Sequence, residues 1–311
     1  MMEKDRIALG LVGVGKIARD QHIPAIRADA RFDLLATASR EPDQLPDVPG
    51  YPSLEAMLAA GHPLDAVTLC TPAAGRHALA AAAIDAGLHV MMEKPPATTL
   101  SEVDDLAERA RAKGVVLFTT WHSRAAAGVE PARAWLRDKQ VAGLRITWKE
   151  DIRRWHPGQE WILGPGGFGV FDPCINALSI ATRILPRELF VTEALLRTPE
   201  NRDAPIAASV MLRVGDATGS FDLDFRQTGP QSWDIEVDTP EGTLRLSGGG
   251  SRLELPGEPP REGENREYPN LYDRFAELVA AGRSDVDARP LRLVADVMLV
   301  ASHQRVEPFS F

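Results

Sequence analysis

The chain has only two cysteines in 311 residues, Cys70 and Cys174, which give neither a disulfide framework nor a metal-ligand spacing. It has no apolar run near the roughly 18 residues of a membrane span, and the apolar stretch Ala78 to Ile84 reads as a buried helix face. Basic residues are in deficit: 35 lysines and arginines face 44 acids, for a net charge of -9. That balance argues against nucleic acid, because phosphate neutralisation calls for a basic face. No histidine pair or acid cluster suggests a metal, and no internal repeat or long low-complexity segment is present. The charged stretch Met1 to Arg6 runs straight into a strand pattern, so no signal peptide is expected and the sequence predicts a cytoplasmic protein.

What is there suits an α/β protein of two domains. Up to about residue 125, strand-like runs (Ile7–Val12, Phe32–Ser39, Ala66–Thr71, Leu88–Met92, Val115–Thr120) alternate with helical patterns (Ile17–Asp29, Leu54–Ala60, His77–Ala86, Glu102–Lys113). Apolar strands without polar alternation predict a parallel, doubly wound Rossmann sheet covered on both faces. The proline- and acid-rich Glu41–Pro52 is expected to replace a crossover helix with a loop. From 126 to 311 the pattern changes to a helix at Glu130–Lys139 and then strands of alternating polarity, interrupted by a helix at Phe171–Ile184. Those strands predict an antiparallel or mixed sheet with one face less covered. Thr239-Pro240-Glu241-Gly242 reads as a hairpin turn, Gly248–Gly250 and Gly257–Asn265 as loops, and Leu271–Ala281 and Leu291–His303 as closing helices. This division leaves open that the C-terminal helix packs back on the Rossmann domain.

In the first half, Gly13, Gly15 and Ala18 form G-x-G-x-x-A between strand and helix, a dinucleotide fingerprint. Gly13 allows the tight turn, Gly15 lets backbone approach the pyrophosphate, and Ala18 permits close packing. Lys16 and Ile17 open the helix whose N-terminus would meet the phosphates. The second strand ends in Ser39-Arg40, where an NAD site usually carries an acid on the ribose; serine and arginine suit a 2′-phosphate. NADP is therefore expected as the preferred cofactor, with Glu41 leaving NAD as a second. Cys70-Thr71-Pro72 closes a strand where the nicotinamide ribose is expected, with His77 just beyond, while His89 reads as a core histidine. The apolar strand before Glu93-Lys94-Pro95-Pro96 puts a lysine at a strand's carboxyl end, where ligands of such sheets bind. Lys94 has three candidate tasks: bonding a substrate hydroxyl, holding the ribose, or acting as a base. Glu93 is placed beside it at the cofactor.

In the second half, a glycine-rich run, Gly164 to Gly169, enters a helix bearing Asp172 and Asn176. Asp172 reads either as an N-cap or, with Asn176 four residues on and the same helix face, as a pair sharing one substrate hydroxyl. His122, Glu150, Trp155 and His156 offer polar and aromatic groups suited to a sugar, whose C–H face stacks while its hydroxyls need fixed partners. Trp233 reads as either a further ring wall or core packing.

Taken in order, these stretches resemble the glucose-fructose oxidoreductase / inositol dehydrogenase (Gfo/Idh/MocA) family. The resemblance rests on G-x-G-x-x-A, on Glu93-Lys94-Pro95 and on the glycine-rich loop before Asp172. More narrowly, Gly15 to His22, Thr120-Trp121-His122-Ser123, Trp148 to Asp151, Arg154 to Gln159 and Val170 to Pro173 with Asn176 resemble its bacterial L-arabinose / D-galactose 1-dehydrogenase branch. The resemblance implies a Rossmann domain followed by an α/β domain whose broad, mostly antiparallel sheet makes a homo-oligomer. It implies Lys94, Asp172 and Asn176 as the catalytic set, Ser39 and Arg40 at the cofactor phosphate, and His122, Glu150, Trp155 and His156 around an aldose. Many family members carry histidine where this chain has Asn176; an amide is no general base, so the proton would go to Asp172. The rival readings are a relative oxidising a secondary alcohol of a sugar or inositol, and a non-catalytic nucleotide-binding regulator.

Overall fold

A computed structural model describes residues 6–40 and 45–311. In chain order the strands and helices are β1 (Ile7–Val12), α1 (Ile23–Ala28), β2 (Phe32–Ala38), β3 (Gly50–Tyr51), α2 (Leu54–Ala59), β4 (Ala66–Leu69), α3 (Arg76–Asp85), β5 (His89–Met92), α4 (Leu100–Lys113) and β6 (Leu117–Thr119). After these come α5 (Val129–Leu136), β7 (Gly143–Lys149), α6 (Ile152–Trp155), α7 (Phe171–Ile184), β8 (Leu189–Pro199), β9 (Ala207–Val214), β10 (Ala217–Asp224), β11 (Ser232–Thr239) and β12 (Gly242–Ser247). The chain closes with β13 (Arg252–Glu254), β14 (Arg261–Glu262), α8 (Glu267–Ala281), α9 (Arg289–Val300) and β15 (Ser302–Val306). It forms two compact units: residues up to His122 with Glu267–Ala288, and Ser123–Arg266 with Arg289–Phe311.

The first unit is a six-stranded parallel sheet in the order β3-β2-β1-β4-β5-β6, the doubly wound arrangement the apolar strands predict. Its strands are buried on both faces. One face packs Leu54, Met57, Ala80, Ala83, Ile84 and Leu106 from α2, α3 and α4. The other packs Ile23 and Ile26 of α1 and Tyr268, Leu271, Tyr272 and Phe275 of α8. Each such large side chain contributes about 1.5–3 kcal/mol through burial, so α8, remote in sequence, is an integral layer. A capping box, Thr99 with Glu102, starts α4, and Gly114 in the left-handed region ends it.

The second unit is a nine-stranded sheet in the order β14-β13-β12-β11-β7-β10-β9-β8-β15. Its pairs are antiparallel except β7 with β10 and β8 with β15. Polarity alternates along the strands: Leu144, Ile146 and Trp148 are buried, while Arg145 between them is exposed. The helix α7 is buried almost throughout, the core of this unit. The β11–β12 hairpin turns at Thr239–Gly242 as the sequence predicts.

Several local expectations are corrected. The first helix is not regular: a π turn at Ala18–His22 precedes α1. The last helix stops at Val300, and Ser302 and His303 enter the edge strand β15, parallel to β8. Gly248–Gly250 is a 3₁₀ turn, and part of the expected 257–265 loop is β14. Of the expected loop over 41–52, Glu41 and residues 42–44 lie outside the described residues, 45–49 hold no helix, and Gly50–Tyr51 form the short strand β3.

Candidate active site

In the first unit the candidate residues sit at the carboxyl ends of β1, β2, β4 and β5 and just beyond them. Gly13 has φ +94°, and a Cβ there would stand 2.9 Å from the Thr71 backbone nitrogen. Only glycine therefore lets the ends of β1 and β4 approach this closely. At Gly15 a Cβ would meet nothing within 4 Å, leaving open space before the helical run. Lys16 and Ile17 are exposed beside it, with Lys16 paired to Asp20. Ser39 is half-buried, its backbone nitrogen bonded to Tyr51 (2.9 Å), and Arg40 is exposed next to it. Cys70 is buried, Pro72 exposed, and Thr71 Oγ1 is buried with no hydrogen-bond partner. An orphaned hydroxyl at the strand end, with open space over Gly15, fits a dinucleotide laid across these ends.

His77 is held by Asp105 of α4 (2.7 Å), and His89 is half-buried, its Nδ1 accepting from the Val116 backbone (2.9 Å). Lys94 is half-buried between buried Glu93 and buried Pro95 and Pro96, and the Lys94–Pro95 peptide is cis. Glu93, 3% exposed, accepts from the Lys94 backbone nitrogen on Oε2 (2.8 Å) and from Tyr268 on Oε1 (2.8 Å), with His22 Nε2 at 3.1 Å. Burial opposes ionisation of Glu93, yet the hydrogen bond and charge of His22, with His122 and Lys94 near, hold the carboxyl far below its usual range. Burial alone would lower the His22 imidazole; Cys70, Tyr272 and the bond to Glu93 instead raise it well above its ordinary value. His122 pairs with Glu267 (2.6 Å) and stacks on Tyr268.

In the second unit a single carboxylate organises the polar residues. Glu150, buried just past β7, accepts from Trp233 Nε1 (2.8 Å) on one oxygen and meets His156 Nε2 (3.2 Å) with the other. Trp155 stands edge-on to Trp233 (5.2 Å between centroids), its indole nitrogen on Gln231 (3.3 Å). Trp233 thus bonds Glu150 and packs against Trp155 at once. Within the glycine run, Gly167 and Gly169 pack tightly against backbone, whereas Gly166 faces open space. Gly169 has φ +56°, and a Cβ there would sit 2.3 Å from the Pro205 carbonyl, so glycine is needed where the loop enters α7. The helix begins at Phe171 after Val170, placing Asp172 inside its first turn and not at the cap. Asp172 is 7% and Asn176 8% exposed, four residues apart, and the Asn176 Oδ1 is buried with no hydrogen-bond partner. Among the described residues no cluster of three histidines, cysteines or acids could hold a metal ion.

Residues 7–121 match the Gfo/Idh/MocA model, described as an oxidoreductase family with an NAD-binding Rossmann fold. Over 306 residues, 97% of this chain and 98% of the relative, the sequence is 44% identical to a galactose 1-dehydrogenase of Pseudomonas fluorescens. The chain belongs to the Gfo/Idh/MocA oxidoreductase family. A solved D-galactose-1-dehydrogenase from Rhizobium etli superposes with a TM-score of 0.92 at 50% identity, covering all of both chains. A 3-ketoreductase of Actinomadura kijaniata, solved with NADP and TDP-benzene, shares the fold at 19% identity, with a TM-score of 0.84 over 97% of this chain and 99% of its own.

Within this family framework, sequence reasoning missed the groups that hold the candidate residues. His22, Tyr268 and Tyr272 form a buried chain behind Glu93, with His22 Nδ1 2.8 Å from the Tyr272 hydroxyl. The bonds of this chain join residues 71, 175 and 250 positions apart, so no local pattern announces them. The π turn that brings His22 to the buried face is equally silent in apolar periodicity. Arg76, next to the candidate His77, is a further such group. One signal was available: a cation on the first residue of a helix opposes the macrodipole and asks for another reason to be there.

Proposed function

We propose that this oxidoreductase is a cytoplasmic NAD(P)-dependent aldose 1-dehydrogenase that oxidises C1 of D-galactose, L-arabinose and similarly configured sugars to the aldonolactone, with NADP preferred. The observation that carries this reading is the unpartnered Oδ1 of Asn176 one helical turn from buried Asp172. A buried acceptor without a donor is costly unless a ligand supplies one, and a sugar hydroxyl does. The likeness to two galactose 1-dehydrogenases supports the same substrate class.

Asp172 takes the proton of the anomeric hydroxyl, which Asn176 orients. Lys94 donates a hydrogen bond to the same oxygen and offsets the negative charge that builds there. The bound cofactor supplies the hydride acceptor, C4 of its nicotinamide. Loss of the C1 hydride and the hydroxyl proton leaves the lactone, which opens in water to the aldonic acid. Glu150, His156, Trp155, Trp233 and His122 bind the ring hydroxyls and C–H face. Ser39 and Arg40 bind the 2′-phosphate of NADP. The outer face of the nine-stranded sheet exposes Phe190 and Met211 and carries the ion pairs Arg145–Glu236 and Arg245–Asp234, which supports a homo-oligomer through that face.

The test is reduced-cofactor formation from NADP and NAD on D-galactose, L-arabinose, D-fucose, D-xylose, D-glucose and myo-inositol, followed by absorbance. Turnover of the first three is expected, because the pocket's polar groups penalise a misplaced hydroxyl more than a missing one at C6. Turnover of myo-inositol alone would move the reaction to a secondary alcohol. Silence on all six with cofactor still bound would favour a nucleotide-binding regulator.

A further inference from the structure

Arg76 is 2% exposed, and no other lysine or arginine among the described residues is as deeply buried. Its Nη1 donates to the carbonyls of Glu93 and of Pro95, and its Nη2 donates to the carbonyl of Thr71. Glu93 and Pro95 are the two residues that flank Lys94, so one guanidinium nitrogen holds the backbone on both sides of that lysine. The remaining backbone donor there, the Lys94 N–H, goes to the Glu93 carboxylate, which His22 and Tyr268 hold in turn. The backbone is thus held at the carbonyls on both sides of Lys94 and at its own N–H, and the Lys94 side chain is half-buried.

Folding alone explains this arrangement poorly. Desolvating a guanidinium costs several kcal/mol, and as the first residue of α3 its charge also opposes the helix dipole. Three strand-end carbonyls need only ordinary neutral donors. What the guanidinium adds is a rigid planar fork that spans three acceptors on two neighbouring strand ends. One of those ends carries Lys94 and the other Thr71, whose hydroxyl has no partner.

We propose that Arg76 is a positioning residue for Lys94, setting the backbone from which the ammonium is aimed and keeping it aligned with Thr71. This rests on the reading of Lys94 as a group that contacts the reacting hydroxyl. Arg76→Lys keeps the charge but replaces the fork with a point donor that cannot reach three carbonyls. An error of about 1 Å in a group that contacts the reacting atoms costs up to roughly 100-fold, so kcat is expected to fall about 10- to 100-fold. The cofactor dissociation constant should change little.

The experiment is a double-mutant cycle on the full chain with Arg76→Lys, Lys94→Ala and the double variant, reading kcat, KM and cofactor dissociation, with thermal midpoints to follow folding. Arg76→Gln serves as a second probe of the clamp. The expected result is that the Arg76→Lys loss in kcat disappears once Lys94 is alanine, because there is no ammonium left to misplace. A full, additive loss in that background would overturn the inference. So would a loss confined to cofactor affinity, or a failure of both Arg76 variants to fold, which would make Arg76 a residue of the fold only. Wild-type kcat in Lys94→Ala would overturn the reading of Lys94 itself, and this inference with it; a crippled Lys94→Ala with an additive Arg76 effect would overturn this inference alone.

Discussion

In the first unit the candidate residues of the dinucleotide turn and the strand ends are positioned by backbone: the left-handed Gly13, the open space over Gly15, and the strand ends that carry Ser39, Thr71 and Lys94. In the second unit they are positioned by side chains. The Glu150 carboxylate ties Trp233 to His156, and the Asp172–Asn176 pair lies on a buried helix. Geometry of that first kind suits a ligand shared by many enzymes, because phosphates are met by main-chain N–H groups whatever the side chains are. Geometry of the second kind suits a particular arrangement of hydroxyls, where each donor and acceptor must be supplied individually. Lys94 and His122 apart, which the proposed reaction places at the sugar, the contrast predicts that substitutions in the two units separate cofactor binding from chemistry on the sugar.

The sharpest break should come at Asp172. Asp172→Ala removes the proposed base and is expected to lower kcat by about 10²–10⁴-fold, while cofactor affinity, read by fluorescence titration, stays unchanged. A parallel loss of cofactor affinity would show that the two units are not functionally separate. Next is Glu150→Ala, which strips Trp233 Nε1 of its acceptor and His156 of its partner. A lost bond to a charged group costs about 2 kcal/mol, or roughly 30-fold, and here it should appear in kcat/KM for the sugar under saturating cofactor. The matching test in the first unit is Arg40→Ala. Loss of one charge-assisted bond to the 2′-phosphate, about 1.5 kcal/mol, should lower the ratio of kcat/KM for NADP over NAD roughly tenfold. An unchanged ratio would remove Arg40 from the phosphate.

What was legible in the sequence follows the same division. The glycines of the first turn and the strand ending at Lys94 could be read because a local backbone requirement leaves a local residue pattern. The alternating strands announced a sheet with one polar face, since side-chain period and burial are coupled along a single strand. The edge strand β15 was hidden: His303, Gln304 and Arg305 are exposed and polar, and nothing in them resembles a half-buried strand. Asp172 was partly ambiguous because cap and first-turn positions differ by one or two residues, and only the start of α7 at Phe171 decides between them. Glu150 could be suspected from composition, but its role as the shared acceptor of Trp233 needs a partner 83 positions away. Arg76 and His22 were the least legible, for a polar side chain buried by tertiary partners, carbonyls for Arg76 and the Glu93 and Tyr272 side chains for His22, looks in sequence like any solvated one.

The smallest effect separates the two units by pH. His22 and Glu93 form a pair buried in the first unit, and no shift of comparable origin is resolved for a buried group of the second. Around the pair stand Cys70 and Tyr272 against His22, and Tyr268, His122 and Lys94 against Glu93. Because the folded His22 lies above its ordinary value of 6.5, its contribution is complete below pH 6.5 and is lost as pH rises through the raised value. Glu93 lies below its ordinary value of 4.5, so its contribution is complete above pH 4.5 and is lost as pH falls towards the depressed value. Between those limits the pair stabilises the first unit fully. His22→Gln keeps a donor for Glu93 but cannot titrate, so its thermal midpoint should fall below wild type by about 2–4 °C per kcal/mol lost near pH 6 and converge with it at alkaline pH. Thermal scans of both proteins across pH decide the matter. A constant offset at every pH would mean that His22 acts as a fixed hydrogen-bonding group, and the buried chain behind Lys94 would then be a scaffold without a charge of its own.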